Sequence, residues 1–222
     1  MRESSLRDAI CNLGASLFAR GLTFGSSGNI SARLEDGWLM TPTNVSLGAL
    51  DPARLSRLDA QGALLSGNAP TKESVLHRVM YEERPSAMAV VHLHSTWSVA
   101  VSCLAEVDAA NVLPPITAYY VMRVGTLPLI PYFPPGDAGL GDAVRPFASQ
   151  HHAVLLANHG PVVAGSSLSA AAGAIEELEE TAKLYMILRG EKVKFLDAAQ
   201  AAELHRRFPA DLSQTRLTSN NH

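Results

Sequence analysis

Apolar residues recur at helical spacing in three long stretches of the chain. Leu6, Ile10, Leu13 and Leu17 stand three or four apart, which gives a helix from Ser5 to Arg20 one apolar face, and Gly21 supplies its stop. Thr71 to Glu83 reads as a second helix. Arg84-Pro85 closes it, because the residue before a proline is pushed out of the helical region. The longest helix runs from Ser167 to Arg189 and ends at Gly190. Ala172, Ile175, Leu178, Ala182 and Tyr185 line its inner face, and Glu176, Glu177, Glu179 and Glu180 read as solvated.

Between the helices the pattern shortens to that of strands. Ala87 to His94 and Ala153 to Ala157 are continuous apolar runs, the mark of buried strands. The glycine-rich turn Thr23 to Gly28 leads into a strand through Asn29-Ile30-Ser31. Asp36-Gly37 predicts a hairpin turn before Trp38 to Thr41, and Thr126 to Tyr132 predicts a short strand. Ser95 is placed to cap a helix reaching Cys103, and another helix is expected over Leu140 to Ser149. Asp51 to Gly62 is acidic and turn-rich. Leu113 to Ile116 and Pro134 to Gly139 read as loops, and Tyr119-Tyr120 fall in a β-prone segment. Helices and strands mix without a regular βαβ rhythm. The expectation is an α/β fold with a mostly antiparallel sheet flanked by helices, one domain over 1–208 and a polar, mobile tail over 209–222.

Composition narrows the function more than the fold. At 222 residues, 47% hydrophobic and 18% charged, the chain can bury a sizeable core. A formal net charge of −3 carries no nucleic-acid footprint. An anionic substrate must then be held locally, by backbone N–H groups, a metal or a single lysine. The N-terminal segment is charged, no apolar run reaches membrane-spanning length, and two cysteines are too few for a disulfide framework. A reducing cytoplasm is the expected compartment, with no membrane partner.

Against that background the histidines stand out. His92 and His94 end one apolar run, and residues i and i+2 of a strand project from the same face. His159, in Asn158-His159-Gly160, ends another. One histidine alone is by default a surface or hydrogen-bonded core residue. Three imidazoles with an open position make a catalytic metal site, for which zinc is the usual occupant and manganese or iron the alternatives. His151 and His152 read as loop residues. Glu73, at the start of the second helix, is either a dipole-stabilised N-terminal charge or a general acid/base. His77, one turn on, lies on the same face. Gly28-Asn29, Thr43-Asn44 and Thr71-Lys72 are polar turn clusters able to cradle a phosphate, with Lys72 adding a full charge.

As an ordered set, Gly28-Asn29-Ile30-Ser31, Thr41-Pro42-Thr43, Glu73, His92-x-His94 and Asn158-His159-Gly160 resemble the class II aldolase/adducin family over roughly residues 5 to 195. The resemblance implies a three-layer α/β/α fold and a homotetramer with active sites at subunit interfaces. It implies zinc on His92, His94 and His159, and Glu73 as acid/base. Tyr119 would be a proton donor from a neighbouring subunit, and Gly28, Asn29, Thr43, Asn44, Thr71 and Lys72 would form the phosphate pocket. Departures carry information. The family's aldolases usually have Ser-Ser where Thr71-Lys72 stand and Gly where Asn44 stands, and its epimerase has aspartate in place of Glu73. The phrases around Lys72, His94 to Ser102 and Tyr119 to Gly125 look most like the 3-oxo-tetronate 4-phosphate decarboxylases. The reaction this implies is loss of CO2 to dihydroxyacetone phosphate through an enediolate held at the metal. A fuculose-phosphate-like aldolase is the alternative, and an inactive adducin-like assembly protein a second one.

Overall fold

In the computed structural model, residues 2–134 and 136–208 are described. The expected tail over 209–222 lies outside them, as does Pro135 of the expected loop Pro134 to Gly139.

The elements are α1 (Glu3–Ala19), β1 (Asn29–Leu34), β2 (Gly37–Met40), β3 (Ser56–Asp59), β4 (Leu64–Ser66), α2 (Ser74–Glu83), β5 (Ala89–His92) and α3 (Thr96–Ser102). After these come α4 (Ala118–Arg123), β6 (Leu129–Ile130), α5 (Ala138–Ala148), β7 (Ala153–Leu156), β8 (Gly160–Gly165), α6 (Leu168–Ile187) and α7 (Ala198–Arg207). The strands form one eight-stranded sheet in the order β4-β3-β2-β1-β5-β8-β7-β6. Every pairing is antiparallel except β6 with β7.

Period-two alternation divides the sheet into two faces. Ile30, Ala32, Ala89, Val91 and Leu93 pack with Ile10 and Leu17 of α1 and Ile175 and Leu178 of α6. Met40, Val90, Val154 and Val162 pack with Leu76 and Met80 of α2 and Leu140 and Val144 of α5. The result is the expected three-layer α/β/α arrangement, with both layers of helices buried against the sheet. His92 alternates with Val91 and Leu93, so it falls on the α2 face.

Several elements differ from the sequence reading. The turn-rich stretch Asp51 to Gly62 contains β3, and β4 follows just beyond it; their four- and three-residue lengths leave no room for a periodic signal. Tyr119-Tyr120 lie on a short helix, not a strand. The Thr117 hydroxyl starts that helix by accepting from the Tyr120 N–H at 3.1 Å. The apolar run at β7 does not end at His159: it turns there and returns as β8. Asn158 turns the chain in a left-handed conformation, with φ 55°. Gly160 follows at φ 156°, where a side chain would meet the carbonyl of Leu93. Helix α7 had no sequence prediction. A capping box of Asp197 and Gln200 defines its start.

The start of α3 is the clearest correction. Ser95 occupies the cap position, but its hydroxyl donates to the carbonyl of Leu22 instead, at 2.7 Å. The cap comes from Glu179 on α6, which is buried rather than solvated. Its carboxylate accepts from the N–H groups of Trp97 and Ser98 at 2.9 and 2.8 Å and from the Ser98 hydroxyl at 2.5 Å.

Candidate metal centre

Strands β5 and β8 are neighbours, and His92 pairs with Val162 across them. The turn from β7 into β8 therefore sets His159 beside the end of β5. The Nε2 atoms of His92, His94 and His159 converge, at 3.3 Å (92–159), 3.1 Å (92–94) and 3.1 Å (94–159). The three nitrogens share one small locus. The Nδ1 of His92 lies 2.8 Å from the carbonyl of Pro161, which only accepts, so Nδ1 holds the proton and Nε2 presents a lone pair. Three nitrogens about 2.0–2.1 Å from one tetrahedral zinc ion stand about 3.3–3.4 Å apart. The observed separations are close to that value, so the donor set fits a zinc-sized ion. Burial lowers the His92 imidazole to about 4 and also lowers His94, which keeps both rings neutral and able to ligate at neutral pH.

Glu73 completes the cluster. One of its carboxylate oxygens and the three histidine nitrogens all lie within 4.8 Å of one another. Oε1 is 2.9 Å from His159 Nε2, and Oε2 is 3.4 Å from His92 Nε2. Glu73 occupies the cap position of α2 yet makes no capping bond, because its carboxylate turns toward the histidines. Burial alone would raise its pKa. The neighbouring His92 and His159 and the Asn29 amide outweigh burial and hold the carboxyl well below the usual range.

The polar turns meet beside this carboxylate. Pro42 and Pro70 form a β-bridge, and the Thr71 N–H donates to the Thr41 carbonyl, so 41–44 and 69–72 run together. Gly28 has φ 77°, and a Cβ there would stand 3.0 Å from the His92 carbonyl, so only glycine allows the first turn to sit so close. Asn44, at φ 58°, and Lys72 are exposed, whereas Thr71 is buried. The Asn29 amide faces inward. Its Nδ2 donates to Glu73 at 2.8 Å and to the Thr71 hydroxyl at 3.2 Å, and its Oδ1 lies 2.5 Å from His77 Nε2. Both of its N–H groups are therefore engaged with protein.

A cavity of about 530 Å³ opens over the histidines, walled by Phe24, Thr96, Val99, Tyr132, Phe133 and Asn158. Tyr119 is not among its walls. It is 60% exposed and lines a separate cavity with Arg20, Leu22 and Arg123. Its neighbour Tyr120 is buried in the core, where burial raises its pKa. His151 and His152 lie away from the cluster, and His152 Nε2 bonds to the carbonyl of Arg123 at 2.8 Å. Tyr132 is expected only as the end of a short strand, and Phe133 carries no sequence signal. His77 does, through its i+4 spacing from Glu73.

Among known proteins, the chain is 50% identical over 203 residues to the 3-oxo-tetronate 4-phosphate decarboxylase of Escherichia coli K12, covering 91% of this chain and 96% of that one. It is 52% identical over 187 residues to the enzyme of the same name from Cupriavidus necator, covering 84% and 86%. The crystal structure of the Escherichia coli protein YgbL superposes with a TM-score of 0.89 at 49% identity, over 91% of this chain and 98% of that one. The L-fuculose phosphate aldolase of Escherichia coli K12 is more distant, at 31% identity over 188 residues, 84% of this chain and 85% of that one. The family model for the class II aldolase and adducin N-terminal domain matches residues 8–186, and with that match over most of its length the chain belongs to this family.

Proposed function

We propose that the protein is a metal-dependent lyase that decarboxylates a 3-oxo-tetronate 4-phosphate to dihydroxyacetone phosphate and CO2. The observation that carries this reading is the convergence of the Glu73 carboxylate with three imidazole nitrogens on a chain half identical to enzymes named for that reaction. His92, His94 and His159 would hold zinc, and manganese or iron suit the same donors. When bound, the ion supplies Lewis acidity at the 3-keto and 2-hydroxyl oxygens.

The chain's own residues do the rest. Glu73, ionised in the free site, takes the proton of the 2-hydroxyl as substrate seats. The C1–C2 bond then breaks, CO2 leaves, and its electron pair passes to C2 and the adjacent carbonyl oxygen. Glu73 returns the proton to C2, and a phenol supplies the one owed to oxygen. Tyr119 fits that last role only from a second copy of the chain, because within one chain it lines a different cavity. The assembly we propose for it is a homotetramer with active sites shared between subunits. Thr43, Asn44, Thr71, Lys72 and the backbone around Gly28 form the phosphate pocket, with Lys72 as its cation. The Asn29 amide supports Glu73. Among the described residues no helix is long and apolar enough to cross a membrane. Its substrate and relatives fit a cytoplasmic enzyme of carbohydrate metabolism.

The test is to offer the zinc-loaded protein 3-oxo-tetronate 4-phosphate and L-fuculose 1-phosphate in parallel. CO2 from the first with no aldehyde from the second is the expected result. Aldehyde release from the second alone would make the enzyme an aldolase, and turnover of neither would revive an adducin-like assembly role.

A further inference from the structure

Behind Glu73 and the Asn29 amide that supports it lie three buried polar side chains that the reaction above does not use. Tyr81 and His77, both on α2, meet Ser31 of β1. The Ser31 hydroxyl is 2.8 Å from Tyr81 Oη and 2.7 Å from His77 Nδ1. His77 Nε2 reaches Asn29 Oδ1 at 2.5 Å, and Asn29 Nδ2 donates to Glu73. Asn29 and Ser31 are two apart on β1, so they share the α2 face, and His77 sits one helical turn past Glu73. Ser31 and His77 are completely buried, and Tyr81 and Asn29 nearly so.

Donor counting gives these bonds a direction. Burial lowers the His77 imidazole to about 3, so the ring is neutral and has one N–H and one lone pair. Glu73 is a carboxylate and can only accept, so the Asn29 NH2 must face it and the Asn29 oxygen must face His77. That oxygen also only accepts, so the His77 proton is on Nε2. Nδ1 is then the acceptor, and the Ser31 hydroxyl donates to it. The phenol of Tyr81 donates to Ser31 in turn.

We infer that His77 is a positioning residue, held in its Nε2–H tautomer by Ser31 and Tyr81, that locks the Asn29 amide with its N–H groups toward Glu73 and thereby fixes the carboxylate opposite the three histidines. Without this lock the Asn29 amide can flip, which would set its oxygen against the Glu73 carboxylate. Partners of this kind orient reactive groups without touching substrate, and losing one typically lowers activity about 10–100-fold. The inference rests on the lyase reading for its turnover measurement and is independent of it for the tautomer.

The first arm is long-range 1H–15N NMR on the full chain with 15N-labelled histidine. The expected spectrum has His77 protonated at Nε2 and bare at Nδ1, and a proton on Nδ1 would overturn the inference without any substrate. In the second arm, zinc-loaded His77→Leu, which keeps the bulk and removes both bonds, is expected to lose about 10–100-fold in kcat. KM and one zinc per chain should be retained. His77→Gln, whose amide can donate to Asn29 and accept from Ser31, should restore most of the loss. A Leu variant with the kcat of the parent, or a folded Gln variant as impaired as the Leu variant, would overturn it. If His77→Leu does not accumulate, the tautomer and the Gln variant decide. If the parent chain turns over nothing, the lyase reading fails, and the tautomer still decides the role of His77.

Discussion

The carboxylate of Glu179 caps the helix that begins two residues after His94, although the two residues lie on elements more than 80 positions apart. It satisfies two orphan N–H groups of α3 and the Ser98 hydroxyl, all within the core. Replacing it with alanine removes the cap and strands those donors. The expected loss is about 2–3 kcal/mol of folding stability, read by chemical denaturation. Zinc affinity should weaken as well, because His94 precedes the same turn. A Glu179→Ala chain within error of the parent in both measurements would deny this link between α6 and the metal site.

Glu73→Gln separates the carboxylate from the histidines. Three imidazoles remain, so bound metal measured by elemental analysis should stay near one per chain. The proton shuttle is gone, and kcat should fall by about 10²–10⁴-fold. A variant that loses its metal instead would make Glu73 primarily a ligand.

Lys72→Ser removes the positive charge that Lys72 brings to the expected phosphate pocket and introduces the serine usual in the family's aldolases. Losing one charge-assisted bond of about 1.5–3 kcal/mol should raise KM for the phosphorylated substrate about 10–100-fold and leave kcat nearly intact. An unchanged KM would take Lys72 out of the phosphate site.

Acid should destabilise the metal-free chain through its buried histidines, and over the widest range through His77. Its folded value, about 3, lies below its ordinary 6.5, so between those limits the unfolded chain binds the proton and the folded chain does not. Stability therefore holds above about pH 6.5 and falls as pH drops toward 3. The slope is up to about 1.4 kcal/mol per pH unit for each such histidine. His92, lowered to about 4, adds to it over a narrower range. Urea midpoints at several pH values check this, and His77→Gln should flatten the curve. An equal slope in parent and variant would remove His77 as its source.

The histidine cluster is legible in the sequence because chemistry and period coincide. His92 and His94 share a strand face by two-residue spacing, and apolar runs placed their ends. His159 was found with them, but the strand that follows it was not, since Asn158 and Gly160 read as a terminus rather than a tight reversal. The misreading of Glu179 is instructive. It sits among four glutamates, which suggests solvent, yet the spacing Ala172, Ile175, Glu179, Ala182 places it on the apolar stripe. A carboxylate on such a stripe needs a buried donor, and that donor came from an element with no sequence link to it. The bonds of Asn29 to Glu73 and His77 were invisible for the same reason: they cross from β1 to α2, and no local pattern encodes them.

The antiparallel pairing of β5 with β8 has a thermodynamic corollary. It brings together side chains 67 positions apart, so of this cluster an unfolded chain keeps only the two-residue spacing of His92 and His94. The folded chain offers the whole cluster at once. An ion that prefers one state in this way shifts the equilibrium toward it by mass action, in proportion to the logarithm of its free concentration. On the proposed ligand set, the resistance of this protein to unfolding would thus be tied to the availability of metal around it.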